Sequence, residues 1–147
     1  MQGMKKIRDI VGLREEIYSV QTTESVRTVA RYMKDRGIRA VCVLNRQTVA
    51  GIVSNWDFLT KVLAEGRDPD RTTVGEVMTP QPMTVSPDAT YAECLVTMLE
   101  NDFQHLVVVT PDGQMRGLVA IGDLLKIDKA ERDAVVEFYQ EMFASHH

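Results

Sequence analysis

The sequence predicts an α+β protein: one β-α-β-β-α unit written twice, the copies packed through their sheets about a pseudo-twofold axis, with an extra C-terminal helix. Three observations carry this. GIVSNWDFL, Gly51–Leu59, returns as GLVAIGDLL, Gly117–Leu125, with the glycine, the apolar residues and the aspartate kept and Ser54 replaced by Ala120. The register extends upstream, where Ser19-Val20 aligns with Thr84-Val85 and runs without a gap to Leu44 and Val109. Within each copy, helical apolar stripes alternate with short β-rich runs, so both classes of element are present.

The elements follow in the same order in each copy. The lead-ins rhyme, IRDIVG near the start and VGEVMT at Val74–Thr79. A helix follows Ser25, with Val26, Val29, Ala30 and Met33 on one face; its counterpart follows Thr90, with Tyr91, Cys94, Leu95 and Met98. Both sets have the i, i+3, i+4, i+7 spacing of a one-sided helix. Thr90 and Glu93 form a T-x-x-E capping box. The runs AVCVL and LVVV read as strands, and Pro111-Asp112-Gly113 marks a turn. Second strands, near Val49–Val53 and Met115–Val119, lead into another helix, NWDFLTKVLAEG in the first copy. The expected division is a first repeat over 6–66, a polar linker over 67–73, a second repeat over 74–127 and a helix over 128–144. In that last helix Val135, Phe138, Tyr139 and Met142 make an apolar stripe, widened by Val136 and Phe143, which suits packing on something, a second copy included. Neither half alone is large enough to build an adequate core.

Composition excludes several classes. A net charge of −4 without a basic tail argues against broad nucleic-acid binding, though not against one small anionic ligand. Apolar runs are far too short to span a membrane, and Asp9, Arg14, Glu15 and Glu16 interrupt any signal-peptide core. The expected location is the cytoplasm. Cys42 and Cys94 sit in apolar patterns and read as core residues; no Cys/His spacing suggests a metal. His146 and His147 close the chain as tag residues would. No nucleophile elbow, phosphate loop or acid/base pair is recognisable, so catalysis is not expected.

Ser54-x-x-Asp57 admits two readings. A strand ending in a helix N-terminus presents free N–H groups that favour an anion, and an ionised aspartate accepts two hydrogen bonds, matching a ribose diol. Gly51 allows close approach of a ligand or of neighbouring backbone. The same spacing is also how a helix start caps itself. Ala120 has no hydroxyl, so Asp123, kept beside a lost cap, leans toward a ligand role, or toward being an N-cap itself. His105 reads as a partly buried, hydrogen-bonded residue, Trp56 as a packing residue, and Met83, Met98, Met115 and Met142 as gap-fillers.

The duplicated order of elements, with VGEVMTPQPMTVSPDAT opening the second copy and G-h-x-S/T-x-x-D closing the first, resembles a tandem pair of cystathionine-β-synthase-type (CBS) domains, over about Lys6 to Ile127. The resemblance implies a Bateman module: two domains joined through their sheets, with two clefts for adenosine-containing ligands such as AMP, ADP, ATP, NAD or S-adenosylmethionine. No cofactor for catalysis is implied. It implies further that Ser19, Val20, Ile38, Arg39, Ser54 and Asp57 form the better-equipped cleft, with Asp57 holding the ribose. Thr84, Val85, Phe103, Gln104, His105 and Asp123 form the second, where Phe103 could fill the adenine slot. Arg39 and His105 are the candidates to reach phosphate. The expected function is that of a stand-alone regulatory module, a homodimer acting on an enzyme or transporter partner. The alternative is a structural dimerisation module with decayed clefts.

Overall fold

The computed structural model describes residues 5–12, 16–124, 126 and 129–144. In chain order the elements are α1 (Ile7–Val11), β1 (Ser19–Gln21), α2 (Val26–Arg36), β2 (Ala40–Asn45), β3 (Thr48–Ser54) and α3 (Asn55–Phe58), which widens into a π-helical turn over Leu59–Leu63. Next come α4 (Val74–Val77), β4 (Thr79–Pro80), β5 (Thr84–Val85), α5 (Tyr91–Asn101), β6 (His105–Val109), β7 (Met115–Ala120), α6 (Ile121–Leu124) and α7 (Lys129–Ala144). Each repeat thus forms the β-α-β-β-α unit that its periodicity predicts. Residues Leu13–Glu15, Leu125, Ile127, Asp128 and the two terminal histidines lie outside the described residues.

The chain divides into two compact units, Glu16–Pro82 and the union of Met1–Glu15 with Met83–His147. In the Glu16–Pro82 unit, β1 pairs parallel with β2, β2 antiparallel with β3, and β3 antiparallel with β4. Helix α2 starts because Ser25, extended at the N-cap, accepts a hydrogen bond from the Thr28 N–H at 3.1 Å. It stops at Gly37, whose φ of 65° a side chain would resist. Its stripe of Val26, Val29 and Met33 joins Val41, Val43 and Val53 of the sheet in one core. Each fully buried valine contributes about 1.5–3 kcal/mol.

The other unit has the three-stranded sheet β5-β6-β7, again one parallel and one antiparallel pair. Thr90 caps α5 as its spacing predicts: its Oγ1 accepts from Glu93 N–H at 3.2 Å, and the Glu93 carboxylate accepts from Thr90 N–H at 3.1 Å. Asp102 ends α5 at φ 56°, where the first repeat uses glycine. Aspartate is among the few side chains that tolerate this region. Helix α7 sends Val135 into the core with Phe138 packed beside it, while Tyr139 stacks on Phe143 at 4.5 Å. Met142, on the same apolar stripe, is 42% exposed, because the contact with this core ends one turn earlier.

The lead-in helices join the unit of the other repeat. Ile7 of α1 is completely buried with Tyr91, Cys94 and Leu106, and its N–H donates to the Ala89 carbonyl at 2.8 Å. In the same manner Val74 and Val77 of α4 are buried with Val26 and Val29, and Val74 N–H donates to the Glu24 carbonyl at 2.9 Å. Isolated bridges Lys6–Thr90 and Ser25–Thr73 mark the two equivalent contacts. Residues 67–73 also fold onto α2: Thr72 is buried, its carbonyl accepts from Val26 N–H at 2.8 Å, and Arg27 pairs with Asp70.

The two aligned glycines are needed for different reasons. A Cβ on Gly51 would lie 2.5 Å from the Thr79 carbonyl oxygen, so the close approach is that of β4 and not of a ligand. Gly117 has φ 130°, a conformation that side chains rarely adopt.

Candidate functional site

Register brings the first set of expected residues to one end of one sheet. Ser19 at the start of β1 pairs with Cys42, and Ala40 at the start of β2 pairs with Ser54 at the end of β3. Ile38 and Arg39 precede Ala40, and the Arg39 carbonyl accepts from Asn55 N–H at 3.0 Å, tying the start of β2 to the start of α3. Ser19, Arg39, Ser54 and the α3 N-terminus thereby converge, with Val20 buried beneath them.

Asp57 is the buried charge of this end, 8% exposed. Its Oδ2 accepts from Ser54 N–H at 2.8 Å and Ser54 Oγ–H at 3.0 Å, and Asp57 N–H reaches Ser54 Oγ at 3.3 Å. The capping reading of Ser54-x-x-Asp57 is therefore realised. Its Oδ1 meets Lys61 Nζ at 3.0 Å, and the same ammonium donates to the Val77 carbonyl at 2.9 Å. A carboxylate offers about four acceptor positions, and three are used here. Lys61 was not among the expected site residues, although an acid four positions before a lysine on a helix is a readable pairing signal.

The second set is arranged alike. Thr84 pairs with Val107, His105 with Ala120, and the Gln104 carbonyl accepts from Ile121 N–H at 3.1 Å. Asp123 accepts from Ala120 N–H at 2.7 Å. A capping box has a backbone half, and replacing serine removes only the hydroxyl half, so Asp123 keeps a structural duty beside Ala120. His105 is half-buried; burial pushes its imidazole below the ordinary value, and the charge of Asp123 partly opposes this. Phe103 is 38% exposed, and its N–H donates to the Met98 carbonyl as Ile38 N–H does to Met33. Val85 is half-buried beside the core.

Other expectations resolve plainly. Cys42 and Cys94 are buried, and burial pushes both thiols up to about 12, so neither is a thiolate near neutral pH. Trp56 is 66% exposed rather than packed, on one helix face with Leu59 and Leu63, because the buried side is taken by Asp57, Phe58 and Val62. Beside that face a cavity of about 340 Å³ opens between α2 and the π-helical turn, floored by Val26, Ala30, Phe58 and Val62, and it includes none of the expected ligand residues. Among the described residues no His/Cys/Asp/Glu cluster could hold a metal, and no helix is long and apolar enough to cross a membrane.

The chain is similar to known proteins along most of its length. An uncharacterized protein of Methanopyrus kandleri is 26% identical over 116 residues, 78% of this chain and 59% of that protein. Across the first curated relatives the chain spans between 20% and 59% of their length. A solved protein with CBS domains from Burkholderia ambifaria is 32% identical, with a TM-score of 0.77 over 83% of this chain and 92% of that one. A CBS domain protein from Pyrobaculum aerophilum complexed with AMP shares the fold at a TM-score of 0.79, with 20% identity over 90% of this chain and 99% of that one. The sequence model of the CBS domain matches twice, over residues 7–64 and 74–130, which are the two repeats that the duplicated motif marks. The chain is a member of the CBS-domain family and carries two such domains in tandem.

Proposed function

We propose that this chain is a regulatory module that binds an adenosine-containing ligand, first at the half-site of Ser19, Val20, Ile38, Arg39, Ser54 and Asp57. The observation that carries this is the buried, ion-paired Asp57 placed at a helix start beside Ser54 and the β2 start. A carboxylate there accepts ribose hydroxyls, while α3 N–H groups and Arg39 favour phosphate. The AMP complex of the Pyrobaculum fold neighbour supports the ligand class. Thr84, Val85, Phe103, Gln104, His105 and Asp123 form the weaker half-site, with one hydroxyl fewer. The module works as a homodimer on an enzyme or transporter partner and is not itself catalytic. Occupancy shifts that partner only if the ligand prefers one of two arrangements.

Isothermal titration with AMP, ATP, NAD and S-adenosylmethionine tests the reading. Binding by at least one, lost in the Asp57→Ala, Asp123→Ala double variant, is the expected result. Undiminished binding in that variant, or none in the wild type, sinks it. A second reading, a structural dimerisation module, is favoured by one observation: both aspartates already cap helices. It predicts a melting temperature that no adenosyl compound raises, whereas a specific ligand raises it by mass action.

A further inference from the structure

We propose that Lys61 is a positioning residue of the first half-site, clamping Asp57 so that its carboxylate stays oriented for the ligand. This role rests on the adenosyl-binding reading above. Asp57 is nearly buried, and burying a charge is costly unless it is paired. Lys61 is its only ion-pair partner among the described residues. The remaining contacts on the carboxylate come from the Ser54 N–H and hydroxyl, which are uncharged.

The clamp has two points. The ammonium holds Oδ1 at 3.0 Å and the Val77 carbonyl of α4 at 2.9 Å, so the lysine side chain is anchored by a second element and not only by its own helix. Oδ2 is fixed from the other side by Ser54. The carboxylate plane is thereby set by groups on β3, on the π-helical turn and on α4, and its unused acceptor position lies on Oδ1. A diol binding both hydroxyls must share that oxygen with Lys61. An ammonium with three donors and a flexible stem can give way slightly there while still neutralising the charge. At the matching sequence position the second repeat has Ile127, which lies outside the described residues.

The test uses the full chain and whichever of AMP, ATP, NAD and S-adenosylmethionine binds the wild type. Affinity is measured by titration at neutral pH for wild type, Lys61→Met and Lys61→Arg. Lys61 is about half exposed, so water moderates its field, and Lys61→Met is expected to weaken binding about threefold to tenfold. Lys61→Arg, which keeps the cation and its reach to Oδ1, should restore the affinity. A loss that arginine does not rescue assigns Lys61 to packing and overturns the proposal, as does unchanged affinity in Lys61→Met. If the wild type binds none of the four compounds, the adenosyl reading falls and takes this role with it.

Discussion

His105 opens β6 half-buried, with its imidazole held below the ordinary value by burial and Asp123 pulling the other way. The unfolded chain takes up a proton as pH falls through about 6.5, while the folded chain takes it up only at lower pH. Stability from neutral His105 is therefore present above that value and is lost as pH falls from there toward the folded value. Denaturant unfolding of wild type and His105→Gln at neutral and mildly acid pH should show a smaller acid loss in the variant; equal losses would refute the assignment. Residue roles were legible in the sequence to different depths. Ser25, Thr90 and Glu93 declared themselves, because caps are set by neighbours three positions away. Asp57 and Asp123 did not, because one spacing suits both a cap and a ligand contact, and the hydrogen bond from the N-cap N–H asks nothing of the N-cap side chain. Gly51 and Gly117 show the same gap, one letter answering a crowded β4 in one copy and a positive φ in the other.

At the scale of elements, the helices and strands followed the periodicity closely, since each buries one face on its own sheet. The lead-ins were different. IRDIVG and VGEVMT look alike, so nothing local says which core receives which helix, and only tertiary contacts decide. Ile7 fills a completely buried position among residues far along the chain. Ile7→Ala should cost about 2–5 kcal/mol. Hydrogen exchange should show faster opening in α5 and β6 than in β2 and β3, although Ile7 is nearer in sequence to β2. Equal acceleration in both, or acceleration confined to β2 and β3, would contradict the assignment of α1.

For the whole molecule, one surface stands out. Trp56 and Leu63, 66% and 73% exposed, share a helix face with exposed Leu59. Such a cluster with a tryptophan is costly to leave in water and is the composition of interface centres. The homodimer proposed above is expected to use it. Light scattering coupled to size exclusion should find a dimer for wild type and a folded monomer for the Trp56→Glu, Leu63→Glu double variant. A monomeric wild type, or a dimer indifferent to both charges, would rule this face out.

The crossed lead-in helices also bear on how the chain can be divided. Each repeat carries a helix that completes the core of the other, so neither repeat holds all the parts of one core. A cut within Gly66–Thr73 should then leave two fragments that fold together and not apart.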